Sequence, residues 1–161
     1  MTIATNREAL DHGGVDGCRV RGIARQVING TSARTLLVGE SGALCLFNLA
    51  AGVVYTLPAI GANDIGMFFD FATTVVGTGS YSIDTDSATT FIGGGLIGAS
   101  ATVTAFDLFA ATIASTVSID LDSATTGEEV GTQLTLTAIS VTEWCVTGYT
   151  ASTGTPVTPF A

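Results

Sequence analysis

From Thr35 onward the chain is a succession of short apolar segments separated by punctuation rich in Gly, Ser and Asp. Apolar and hydroxyl residues alternate most clearly at Leu134-Thr-Leu136-Thr and at Ala101-Thr-Val-Thr104, which places apolar side chains on one face and threonines on the other. The pattern predicts strands over 35–38, 43–49, 53–57, 67–76, 80–83, 89–92, 101–109, 112–119, 133–140 and 142–149. No segment carries a 3.6-residue period with caps at both ends. Strands recurring at intervals of roughly 8–12 residues predict an all-β fold, a sandwich or barrel of about eight to ten short strands.

Residues 1–34 read differently. They are rich in Gly, Asp and Arg, their apolar residues are scattered, and they predict an extended N-terminal arm ahead of a β-rich body over 35–149. The tail over 150–161, with its Thr, Gly and Pro content, reads as an exposed and loosely ordered end. One internal echo stands out: Ser82-Ile-Asp-Thr-Asp-Ser-Ala-Thr-Thr90 recurs as Ser118-Ile-Asp-Leu-Asp-Ser-Ala-Thr-Thr126. Two copies are too few for a solenoid, which needs about three units to bury a shared face. They predict two equivalent strand-to-turn corners, with Ile83 and Ile119 in the core and the Asp-x-Asp-Ser residues turning the chain.

Charge sharpens the division. All five basic residues (Arg7, Arg19, Arg21, Arg25 and Arg34) lie in the leader, and every acid from Glu40 onward is unmatched by a base in the body. A cationic arm on an acidic body predicts a partner surface for the arm, with Arg7, Arg19, Arg21 and Arg25 as contacts and Val20 and Ile23 as apolar pegs between them. The acidic body disfavours nucleic acid as that partner, and no aromatic is interleaved with the arginines as a stacking platform. Only 12% of the chain is charged while 47% is hydrophobic, against about 25% charged in an average soluble domain. Much of the surface must therefore be Thr, Ser, Gly and Ala, and part of it is expected to be covered by other subunits. The first ten residues lack the apolar core of a secretory signal, and the most apolar run, 43–60, is interrupted too often to span a membrane.

Candidate chemistry is thin. Gly93-Gly-Gly-Leu-Ile-Gly98 fits the spacing of a dinucleotide-binding loop, but the residues after it read as a strand and no basic residue is near, so a bulged or tightly turned loop is expected and no cofactor. Asp84, Asp86, Asp120 and Asp122 could be calcium ligands, yet their spacing departs from the EF-hand loop and turn chemistry is expected. His12 is the sole histidine, in the arm near Cys18, so no enzyme is expected. Cys45 and Cys145 lie in strand-like runs and read as buried thiols, without metal-ligand spacing. Trp144 reads as a core anchor.

The stretch Gly39-Glu-Ser-Gly-Ala-Leu-Cys-Leu-Phe-Asn-Leu-Ala-Ala-Gly-Val-Val-Tyr-Thr-Leu-Pro-Ala59 resembles the opening of phage head decoration, or cement, proteins. So do the apolar strand over 67–76 with Gly-Thr-Gly-Ser-Tyr-Ser-Ile83 after it, and the closing Gly131-Thr-Gln-Leu-Thr-Leu-Thr-Ala138 with Glu143-Trp-Cys-Val-Thr-Gly148. The resemblance covers roughly 36–149 and leaves the leader outside. It implies a small β-rich homo-oligomer, with a trimer favoured, made in the host cytoplasm and bound through the major capsid protein to the exterior of the virion head. There it would stabilise capsomer contacts. The alternative is a tail fibre or spike module for host-surface recognition, which would use exposed aromatics, with Tyr81, Tyr149 and Phe160 as candidates.

Overall fold

A computed structural model of the chain describes residues 25–102, 104–112, 114–122 and 124–161. These form two sheets stacked face to face, an all-β sandwich. The strands are β1 (Val27–Gly30), β2 (Arg34–Thr35), β3 (Leu44–Phe47), β4 (Val53–Thr56), β5 (Phe68–Thr73) and β6 (Tyr81–Asp84). They are followed by β7 (Phe91–Ser100), β8 (Phe106–Ala110), β9 (Ser118–Leu121), β10 (Gln133–Ser140) and β11 (Glu143–Ser152). One sheet has seven strands in the order β1-β3-β5-β10-β11-β7-β8, and the other has four in the order β2-β4-β6-β9. A 3-10 turn, Val38–Glu40, links the first rung to the second.

The first six strands alternate between the sheets. As a result β1, β3 and β5 pair in parallel on one side, and β2, β4 and β6 pair in parallel on the other. Parallel neighbours ordinarily need a long crossover. Here the crossover is a strand in the opposite sheet, so the chain winds through three stacked rungs. Inward residues then align in columns: Ile28, Cys45 and Phe71 in one sheet, and Tyr55, Ile83 and Ile119 in the other. At the joint between the sheets, Phe47 stacks on Tyr81 with centroids 4.7 Å apart and meets Tyr55 edge-on at 5.4 Å. The Tyr55 hydroxyl crosses the sandwich to the carbonyls of Leu46 (2.9 Å) and Ile28 (3.3 Å). Gly30 makes this possible, because a β-carbon there would stand 2.7 Å from that hydroxyl and 2.6 Å from the Leu46 carbonyl oxygen.

After β6 the winding stops: β9 pairs antiparallel with β6, β10 with β5 and with β11, and β8 with β7, while β11 and β7 lie parallel. The two echoed segments are direct neighbours. Ile83 faces Ile119 across the β6–β9 pair, Ser82 faces Asp120, and Asp84 faces Ser118. The repeat therefore pairs with itself about a local two-fold axis, and both isoleucines are fully buried. Trp144 is likewise buried, with its ring near Phe69.

Several boundaries differ from the sequence expectation. Residues 25–34, assigned above to the arm, contribute β1 and β2, which form the outermost rung of both sheets. Ile28 is buried there; four-residue and two-residue strands leave too short an alternation to read from sequence. The tail is tied down rather than loose: β11 runs to Ser152, Pro156 and Pro159 are buried, and Phe160 bridges Ile119. Its backbone caps the free edge of β9, with Asp120 N donating to Pro159 O (2.8 Å) and Val117 N to Ala161 O (2.9 Å).

Candidate assembly surface

The outward positions of the seven-stranded sheet follow from its period-two alternation. On β10, β11, β7 and β8 they include Ile139, Tyr149, Ile97, Phe106 and Leu108, all exposed, interspersed with threonines and small residues. Register places Tyr149 beside Ile97 and Ile97 beside Leu108, a continuous apolar row across three strands. Phe106 and Leu108 are each 77% exposed. Among the described residues at the outward positions of these four strands, Glu143, at the start of β11, is the one carboxylate.

Strand β7 exists because of its glycines. The expectation of a loop after 92 gives way to a ten-residue strand containing Gly93-Gly-Gly-Leu-Ile-Gly98. Gly94 has φ +99°, and a β-carbon on it would lie 2.3 Å from the Val146 carbonyl oxygen. Gly98 lies under the Phe109 ring, where a β-carbon would come within 2.5 Å of it. The glycines thus admit close approach of β11 and β8, and no helix follows them to receive a phosphate.

Toward the β1 end, the same face carries Asp70, and Arg25 lies over it. The guanidinium donates to Gly42 O (2.9 Å and 3.1 Å) and Ala43 O (3.0 Å) and pairs with Asp70 at 2.5 Å. Thr135 Oγ1 donates to the other Asp70 oxygen at 2.5 Å. Arg25, a candidate capsid contact, is therefore engaged within its own protomer, with its side chain 34% exposed. The other candidate contacts, Arg7, Arg19, Val20, Arg21 and Ile23, lie outside the described residues, as do His12 and Cys18. Arg34 is also paired internally, with Glu40, whose second oxygen accepts the Leu37 N–H at 2.9 Å.

The aspartates of the echo do two different jobs. The Ser82 hydroxyl bonds Asp84 and, at 2.9 Å, Asp120 on the outer face of the four-stranded sheet. Asp122 closes a turn, accepting from Thr125 N (2.5 Å) and Thr126 N (3.1 Å). Partial burial pushes the Asp122 carboxyl up, but these hydrogen bonds outweigh it and hold the group below the usual carboxylate range. Asp86 is exposed in the equivalent turn of the first copy, where Thr85 and Ser87 bond each other instead. Among the described residues, no group of three or more His, Cys, Asp or Glu is gathered to hold a metal ion.

The two described cysteines differ. Cys45 is buried and its thiol is pushed up to about 12, by burial first and by the nearby Glu40 carboxylate second. Cys145, expected in the core, instead takes an outward position of β11 and is partly exposed, because Trp144 and Val146 claim the inward parity. Of the aromatics considered for glycan contact, Tyr81 is buried with its hydroxyl on Val75 O (2.9 Å), Phe160 packs against the core, and Tyr149 alone is exposed. The apolar face itself was legible only in part: exposed Phe and Leu on β8 carry the same alternation signal as core residues.

No protein-family model, curated protein or solved structure matches the chain.

Proposed function

We propose that the protein is a structural virion component, a decoration protein that binds the exterior of a phage head and stabilises contacts between capsomers. The observation that carries this reading is the broad outward face of the seven-stranded sheet, apolar and sparsely charged over β10, β11, β7 and β8, which suits packing against other protein. The resemblance of 36–149 to head decoration proteins supports it. So does the place of Arg25, the residue that follows 1–24 in the chain, over Asp70 beside the β1 edge on that same face. Arg19, Arg21 and their neighbours are the residues we assign to gripping the capsid protein, since Arg25 and Arg34 are spent within the protomer.

The test is co-sedimentation with undecorated heads, comparing the full chain with a version lacking 1–24. That truncation keeps every described strand, whereas removal of 1–34 would take away β1 and β2. Full-length protein should pellet with heads and the shortened form should lose most of its attachment while staying folded. Failure of the full chain to pellet would reject the reading. Equal attachment of the two forms would assign the grip to the β body.

A further inference from the structure

We infer that the outward face of β10, β11, β7 and β8 is the surface through which one copy of this chain packs against a second copy. The inference rests on the proposed function only in expecting a homo-oligomer, and not on the phage head.

The first argument is electrostatic. The chain carries a formal charge of −9, so two copies repel unless their contact lies away from the acids. This face meets that condition. Asp70 is neutralised by Arg25, and Glu143 stands at a strand end. Asp84 and Asp120 project from the opposite sheet, which stands about 10 Å behind. Two copies joined here keep those carboxylates on opposite outer sides, separated by much more than the ~8 Å Debye length at physiological salt. A cationic partner would find little to pair with on this face, whereas an apolar, uncharged one fits, and the chain's own face is such a surface.

The second argument is area. Four strands about 4.8 Å apart and about 8 residues long, at roughly 3.3 Å per residue, give a plan area of roughly 500 Å². Side-chain relief raises the accessible area toward the ~800 Å² per partner of a standard interface. Two sheet faces packing through such a patch bury Phe106, Leu108, Ile97 and Tyr149, four of the large side chains that the protomer leaves in water.

A third argument is contrast between edges. The chain covers the β9 edge with its own 159–161 segment, yet among the described residues β8, at the end of the larger sheet, is paired on one side only. Its single charge is Asp107, with neither lysine nor proline to discourage contact.

Sedimentation velocity of the full chain from roughly 1 µM to roughly 100 µM tests the inference. We expect self-association, and the double variant Phe106→Asp/Leu108→Asp should weaken it at least ~100-fold without changing the circular dichroism spectrum. Asp120→Asn, on the opposite sheet, should leave it intact. Cys145 supplies a second reading in unaltered protein: alkylation of its peptide should slow ~10-fold or more as concentration rises through the association range. A wild-type monomer throughout, an oligomer that survives the double substitution, or a Cys145 rate indifferent to concentration would overturn the inference. A monomer that still pellets with heads would sink this inference and leave the decoration reading standing. An oligomer that ignores heads would do the reverse.

Discussion

Arg34 and Glu40 show how a single charge can be structural where its position in the sequence suggests a partner elsewhere. Glu40 is almost buried at the 3-10 turn, and it accepts from Arg34, from the Leu37 N–H and, at 3.4 Å, from Gln26. Removing the cation strands a carboxylate in a low-dielectric site, which costs more than the ion pair itself contributes. Arg34 is partly exposed, so the penalty is moderated by solvent. We expect Arg34→Ala to lower stability by ~1–3 kcal/mol and the double variant Arg34→Ala/Glu40→Gln to recover a good part of it, both read by urea denaturation. Equal losses in the single and double variants would show that the carboxylate does not need its partner. Arg25 behaves similarly on the other sheet, donating to the Gly42 carbonyl in the turn before β3 and adding a second donor to the Ala43 carbonyl, which also accepts from Asp70 N at 3.1 Å.

At the scale of elements, alternation made most strands readable, and it failed where strands are very short or glycine-rich. The predicted segments at 43–49, 53–57, 67–76, 80–83, 133–140 and 142–149 each overlap a strand, because each directs alternate apolar side chains against the opposing sheet. The three-rung winding was not legible. Its offset changes from rung to rung, Val27 pairing with Leu44 but Leu44 with Asp70, so no fixed period marks it. Parallel pairing itself leaves no local signal in so short a strand. The echo was legible as two corners, though not as a pair lying against each other. The tail misled because Thr, Gly and Pro suit an edge-capping segment as well as a free end. Deleting 158–161 should remove the hydrogen bonds onto β9 and the packing of Phe160, costing ~3–5 kcal/mol at about 1 kcal/mol per bond plus an aromatic contact. It should also expose a strand edge, so the shortened protein should aggregate at concentrations where the full chain stays clear by light scattering. Unchanged thermal unfolding after the deletion would contradict a capping role.

At the scale of the whole molecule, the joint between the sheets holds three groups that must stay protonated. Burial raises the Cys45 thiol to about 12 from an ordinary 9.0, and Glu40 adds to the shift. Burial also raises the Tyr55 phenol, with Cys45 contributing, and the Tyr81 phenol, with Glu128 contributing. In each case the folded state holds its proton to higher pH than the unfolded chain does. The stability this represents is therefore complete below about pH 9, where both states are protonated, and is lost as pH rises through the window toward about 12. One pKa unit corresponds to about 1.4 kcal/mol, so the thiol alone withdraws up to ~4 kcal/mol across the window. Growing negative charge on an already acidic chain acts in the same direction. Urea midpoints should coincide at pH 7 and pH 8.5 and fall steadily from pH 9 to 11. Cys45→Ala separates the two causes: it lowers the plateau through a small cavity but flattens the alkaline slope, whereas self-repulsion would leave the slope as steep as before. A wild-type midpoint that is the same at pH 11 as at pH 7 would mean that these groups reach solvent, and with it that the Phe47–Tyr55–Tyr81 joint is open in solution rather than closed between the two sheets.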